Sequence, residues 1–153
     1  MTGQQGVVRR GSALLLGLLL LPVVLAGCGS GAPRTPPTGA APTGEGVGTV
    51  TVGPDGVQNI TLQVQDDYVF TPDHFTVAPG KVHLTVVSVA TQMTHNLEFP
   101  SGGGPQKVDA SISLIGPGDQ GSIDFDVETP GDYRFECGFH VQLGQVGTMT
   151  VRG

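Results

Sequence analysis

Between residues 49 and 153 apolar side chains recur at every second position, a period that strands satisfy and helices do not. Val50 and Val52, Ile60 with Leu62 and Val64, Val82 with Leu84 and Val86, and Ile123 with Phe125 and Val127 each alternate with polar neighbours. One face of each segment is therefore expected to turn inward and the other outward. The segments are punctuated by Gly53-Pro54-Asp55-Gly56, Ala78-Pro79-Gly80, Gly102-Gly103-Gly104-Pro105, Gly116-Pro117-Gly118-Asp119 and Pro130-Gly131-Asp132, all turn sequences. Short strands with turns at this spacing predict an all-β fold, a Greek-key β-sandwich of seven to eight strands. The 105 residues from 49 to 153 are enough for one modest core.

The chain before residue 49 follows another logic. Arg9 and Arg10 precede an apolar run from Ala13 to Ala26 that contains eight Leu, broken by Gly17 and Pro22. The run predicts a secretory signal over residues 1–27, too short for a comfortable membrane span. Val8 before the arginines and Gly11-Ser12-Ala13 after them are not the polar and bulky apolar residues that twin-arginine export would want. Leu25-Ala26-Gly27-Cys28 resembles the lipobox of bacterial lipoproteins, which implies cleavage before Cys28 and a lipid on its thiol. Without the lipid, Cys28 would be an exposed free thiol in an oxidising compartment. Residues 29–48 hold ten Gly or Pro in twenty positions and almost nothing to bury, so residues 28–48 read as a lipidated Cys and a tether. As a flexible coil, twenty residues span roughly 25 Å. The expected location is extracytoplasmic, held to the cell membrane through the Cys28 lipid.

Charge excludes one broad class of partner. Residues 49–153 carry Lys81, Lys107, Arg134 and Arg152 against twelve acids, a net charge of −8. No basic surface is available to follow a phosphate backbone, so nucleic acid is not an expected partner. Only two cysteines exist, and Cys28 is committed elsewhere, so no disulfide framework is expected.

Chemistry-bearing residues concentrate in Tyr133–Val151. The strand parity delivers Cys137 inward on the face of Tyr133 and Phe135, a loop of seven residues follows, and Gln145 opens the next strand. Thiolate and imidazole three residues apart, at Cys137 and His140, can grip one soft metal. Alone the pair is weak, because a buried Cys is usually a small hydrophobe. A second imidazole, His95 in Thr94-His95-Asn96-Leu97-Glu98-Phe99, stands at the start of another strand. Two His, one Cys and a weak fourth donor such as Gln or Met form the donor set of a type 1 copper site. For that fourth donor Gln145 has the loop spacing that reaches the metal, whereas Met149 shares the parity of Val151 and falls in a core stripe. Met149 is nonetheless the competitor for the position. Met93 reads as packing at the rim, and His74 and His83 as solvent-side imidazoles.

On these residues the chain from 58 to 153 resembles the cupredoxin, or type 1 blue copper, family. Tyr68-Val69-Phe70, running through Thr76-Val77-Ala78-Pro79-Gly80-Lys81 to a Val-rich strand, is similar to the family's first half. His95-Asn96 is similar to its first-ligand corner. Cys137-x-x-His140-x-x-x-x-Gln145 followed by Val146-Gly147 resembles the plastocyanin ligand loop, with a stellacyanin-like Gln where plastocyanin has Met. The resemblance implies one copper ion held by His95, Cys137, His140 and Gln145. It also implies that Asn96 helps fix the thiolate sulfur from behind the ligands. A monomeric carrier of single electrons follows, with His140 reaching the surface among Phe139, Val141 and Leu143, where redox partner proteins would dock. The same ligands would also serve a lipoprotein that captures or delivers copper, and a reversible redox couple distinguishes the two. Enzymatic activity is not expected. Glu136 and Gly138 flank Cys137 where wiring to a second copper centre needs His, residue 141 is Val rather than a second Cys, and no nucleophilic triad or phosphate loop stands out.

Overall fold

The computed structural model of the chain describes Gly44 and residues 46–153. The expected signal segment, Cys28 and most of the tether lie outside the described residues. Ten strands form among the described residues: β1 (Thr51–Val52), β2 (Gln58–Val64), β3 (Phe70–Thr71), β4 (His74–Val77), β5 (Gly80–Ser88), β6 (His95–Glu98), β7 (Ser111–Ile115), β8 (Gln120–Val127), β9 (Gly131–Glu136) and β10 (Val146–Val151). Only β1 and β3 are two residues long, which leaves eight substantial strands, within the expected count. One sheet runs β1-β2-β5-β8 with β3 also on β2, and the other runs β4-β10-β9-β6-β7. Two pairings, β2 with β5 and β4 with β10, are parallel, and the remaining ones are antiparallel.

The alternation seen in the sequence becomes a core between the sheets. Ile60, Leu62 and Val64 of β2 and Val82, Leu84 and Val86 of β5 are buried, in register as Ile60 with Leu84 and Leu62 with Val86. From the other sheet come Phe75, Leu97, Tyr133, Phe135, Met149 and Val151, all in the same cluster. The sheets meet through rings: Phe70 of β3 stands edge-on to Phe135 of β9, their centroids 5.2 Å apart, the offset geometry aromatic pairs favour. Tyr133 is buried with its hydroxyl donating to the Thr129 carbonyl at 2.7 Å, so its polar end is satisfied.

Val52 does not behave as the alternation predicts. It is 67% exposed, although Val50 packs against the core. β1 is two residues at a sheet edge, paired to β2 alone, and too short to carry the parity of Val50 forward. Ile123 and Phe125 are partly buried for a related reason, since β8 closes the other edge of that sheet.

Two buried or bridging amides stitch turns to strands. Gln58 of β2 grips Ala78 at both ends, its Nε2 donating to the carbonyl at 2.8 Å and its Oε1 accepting the N–H at 2.6 Å. Gln106 fastens the long connection between β6 and β7 to the β8–β9 turn, donating to Asp126 O and accepting from Glu128 N and Thr129 N. Together they hold rigid the end loops of a sandwich whose strands would otherwise fray.

Candidate metal centre

Cys137 follows directly on β9 and keeps that strand's inward parity, so its side chain lies fully buried on the face of Tyr133 and Phe135. The loop after it folds back at once. His140 N–H donates to the Cys137 carbonyl at 3.0 Å, a 3-10 turn covers Val141–Leu143, and Gly144 caps that turn in the left-handed region at φ 93°. The Cys137 N–H then donates to the Gln145 carbonyl at 3.1 Å, closing the loop. Closure sets Cys137 and Gln145 side by side at the base and His140 above them.

Gly147, two residues further on, lets β10 approach that base. A Cβ there would collide with the Phe135 ring and lie 2.7 Å from the Asp73 carbonyl. Only a glycine fits a backbone that passes so close to both.

His95 is supplied by the neighbouring strand, at the first position of β6, which pairs with β9. The ligating atoms of His95, Cys137 and His140 all lie within 4.8 Å of one another. Gln145 Oε1 is 3.0 Å from the Nδ1 of His95 and 3.0 Å from the Nδ1 of His140, and Cys137 Sγ is 3.5 Å from the His140 Nδ1. Atoms this close together could share a single ion, which His95, Cys137 and His140 would hold with the Gln145 oxygen beside them. Deep burial at three of the four positions excludes competing water: His95, Cys137 and Gln145 are 0% exposed, while His140 is half-buried.

Polar bookkeeping supports the same fit. Gln145 Nε2 and His95 Nε2 are buried without a hydrogen-bond partner, and an unpaired buried amide group costs about 1–3 kcal/mol. The Gln145 carboxamide bears that penalty while its oxygen faces both imidazoles. Behind the thiolate, the Asn96 backbone N–H points at Cys137 Sγ at 3.5 Å, and the Asn96 Oδ1 accepts the Gly138 N–H at 2.7 Å. Asn96 thereby ties the start of β6 to the loop just past Cys137.

The remaining candidates fall elsewhere. Met149 is buried in the core opposite Tyr133. Met93 is half-buried and engaged through its backbone. His74 is exposed on β4, and His83 is half-exposed with its Nδ1 2.7 Å from Asp124 Oδ1.

Two neighbours of the centre carry no motif that marks them as such. Tyr68 presents its ring edge-on to His140, centroids 5.0 Å apart, from a backbone at φ 58°. A left-handed aromatic residue costs roughly 1–2 kcal/mol and persists only where its surroundings enforce it. Asp66 accepts four hydrogen bonds from the segment leading into His95: Thr91 N at 2.9 Å, Thr91 Oγ1 at 2.7 Å, Gln92 N at 3.2 Å and Met93 N at 2.9 Å. The Thr91 hydroxyl, with the backbone N–H groups of Thr91, Met93 and Gln92, holds the Asp66 carboxyl well below its ordinary value.

A β-sandwich that brings a thiolate and two imidazoles together at its loop end, with an amide oxygen beside them, presents a soft-metal site with donors that copper takes. The chain belongs to the plastocyanin/azurin family of copper binding proteins, whose pattern matches residues 58–152, and copper is its cofactor. Among solved structures it is similar to reduced auracyanin from the photosynthetic bacterium Roseiflexus castenholzii, at 24% identity and a TM-score of 0.53, over 62% of this chain and 97% of that one. It is also similar to the metal binding domain of a Cu(I) exporting P-type ATPase from Streptococcus pneumoniae, with Cu(I), at 20% identity and a TM-score of 0.52, over 68% and 93% of the two chains. A mutant plastocyanin of fern matches at 31% identity over 60% of this chain and 99% of its own, with a TM-score of 0.44. The first two share the fold. No curated protein matches the chain.

Proposed function

We propose that the chain is a membrane-tethered carrier of single electrons, with one type 1 copper held by His95, Cys137, His140 and Gln145. The observation that carries this reading is the convergence of one thiolate and two imidazole nitrogens within 4.8 Å, with the Gln145 oxygen 3.0 Å from both rings. Bound copper supplies a one-electron couple whose two states prefer different geometries. The protein's part is to keep the donors still. The loop closed between Cys137 and Gln145, the Asn96 tie and the packed core leave little to rearrange when the charge changes. His140 provides the way in and out, because it alone of the four donors reaches the surface, flanked by Phe139 at 55% and Leu143 at 59% exposure with half-buried Val141 beside them. An exposed apolar rim of this kind suits brief docking of redox partner proteins. The lipobox-like Leu25-Ala26-Gly27-Cys28 and the Gly/Pro-rich segment after it support an extracytoplasmic, lipid-anchored protein.

The test is the visible spectrum and voltammetry of the full chain after addition of Cu(II). Intense orange-red absorption from thiolate-to-copper charge transfer and a reversible one-electron couple are expected, and Cys137→Ser should lose the colour while remaining folded. A blue Cys137→Ser protein would overturn the site. A blue wild type with no reversible couple would point to copper capture or delivery instead. Mass spectrometry of the mature N-terminus tests the anchor: an unmodified terminus other than Cys28 refutes it.

A further inference from the structure

Residues 65–69, between β2 and β3, reach the segment before His95 at one point and the ring of His140 at another. Asp66 takes hold of the Thr91–Met93 segment, whose last residue lies two positions before His95, with four hydrogen bonds of 2.7 to 3.2 Å. Two positions along, Tyr68 sets its ring edge-on to His140 at 5.0 Å. The conformation that allows both is itself pinned: Gln65 Nε2 donates to Asp67 Oδ2 at 2.7 Å, Asp67 Oδ1 accepts the Val69 N–H at 3.2 Å, and Tyr68 between them is held at φ 58°. An unusual backbone enforced by its own side-chain bonds, with both outward contacts made to ligand-bearing segments, is the pattern of a support rather than of a connecting turn.

We propose that this loop braces the copper centre from outside, Asp66 positioning His95 through the segment before it and Tyr68 positioning His140 through its ring. The proposal rests on the reading that those two imidazoles hold the copper. Neither Asp66 nor Tyr68 is in the donor set. Their effect is on how far each ring can swing, and hence on how readily copper leaves and how sharply its electronic state is defined.

The experiment compares copper loss to a strong chelator and the Cu(II) electron paramagnetic resonance spectrum in copper-loaded full-length variants. Asp66→Ala should lose copper several-fold faster than wild type, less than the roughly tenfold or greater effect of removing a group bonded directly to a metal ligand. Asp66→Asn keeps one acceptor oxygen and should fall between. Tyr68→Asn suits a left-handed backbone while deleting the ring, and should lose copper about threefold faster, the effect of one aromatic pair. Tyr68→Phe should behave as wild type. Asp55→Ala removes a turn bond to Val57 at the far end of β2 and supplies a control for loss of stability alone. The expected result is faster release with altered copper hyperfine splitting in Asp66→Ala and Tyr68→Asn, and neither in Asp55→Ala. If Asp66→Ala does not fold, Asp66→Asn and Tyr68→Asn carry the same comparison. A blue wild type whose Asp66 and Tyr68 variants match it in release rate and spectrum overturns the brace and leaves the copper site standing. A wild type that never turns blue overturns both.

Discussion

A buried carboxamide can offer two imidazoles either its oxygen or its nitrogen, and Gln145 offers its oxygen to both Nδ1 atoms at 3.0 Å while its Nε2 goes unpaired. If that oxygen is the fourth copper donor proposed above, it sets the balance between the two copper states. An amide oxygen is a harder donor than a thioether and favours Cu(II) over Cu(I), so Gln145→Met should raise the reduction potential. We expect a rise of at least about 59 mV, a tenfold shift in a one-electron equilibrium, measured by voltammetry. Met149→Leu is the control, because Met149 is buried against the core rather than at the centre. A volume-conserving exchange there should cost less than about 1.5 kcal/mol and leave the potential nearly unchanged. A potential that moves with Met149 and ignores Gln145 would reverse the assignment of the two residues.

The elements that deliver these side chains were readable in the sequence to very different degrees. Cys137, His140 and Gln145 share one hairpin, so their spacing alone places them together, and the period-2 pattern of β2, β5 and β9 marks the inward faces without knowledge of any partner. Asp66 and Thr91 lie 25 residues apart, and neither belongs to a periodic run, so nothing local announces that one will clamp the other. Tyr68 is hidden by a different cause: an aromatic residue at φ 58° goes against its own backbone preference and is imposed by tertiary contacts. Val52 fails in the opposite sense, because alternation is visible there but no second sheet covers a two-residue edge strand. Gly147 shows how tightly β9 and β10 are matched. Gly147→Ala would drive a methyl into Phe135 and toward the Asp73 carbonyl, and overpacking of this kind should lower stability by about 1–3 kcal/mol in chemical denaturation. The Asp66 clamp makes a prediction about acid. Its carboxyl is held below the ordinary value of 3.8 in the folded chain, so the clamp's contribution is fully present above that value and is lost as pH falls toward the folded one. The difference in melting temperature between wild type and Asp66→Asn, in the metal-free chain, should therefore shrink between about pH 5 and pH 3; a gap that stays constant over that range would show that the charge is not what Thr91, Gln92 and Met93 bind.

At the scale of the whole molecule the charge distribution and the apolar rim would serve two separate stages of the proposed encounter. Residues 49–153 carry twelve acids against four basic residues, and Asp124 and Asp126 alternate outward along β8. None of these charges needs to touch a partner to matter, because a net field guides approach from a distance. In the proposed encounter, contact itself would fall to the apolar side chains of Phe139, Val141 and Leu143 around His140. Electron exchange with a cationic redox partner should accordingly be fast at low salt and slow as ionic strength rises, since exposed charges are screened beyond about 10 Å at 0.1 M. Leu143→Glu separates the two stages. Leu143 is 59% exposed, so the substitution should change stability by no more than about 0.5 kcal/mol, and its added negative charge favours the approach of a cation while placing a desolvation penalty in the contact. We expect exchange measured by stopped flow to slow, with the copper colour intact and the salt dependence retained. Loss of colour would show that the loop is a structural part of the centre, and a rate indifferent to salt in the wild type would exclude steering altogether.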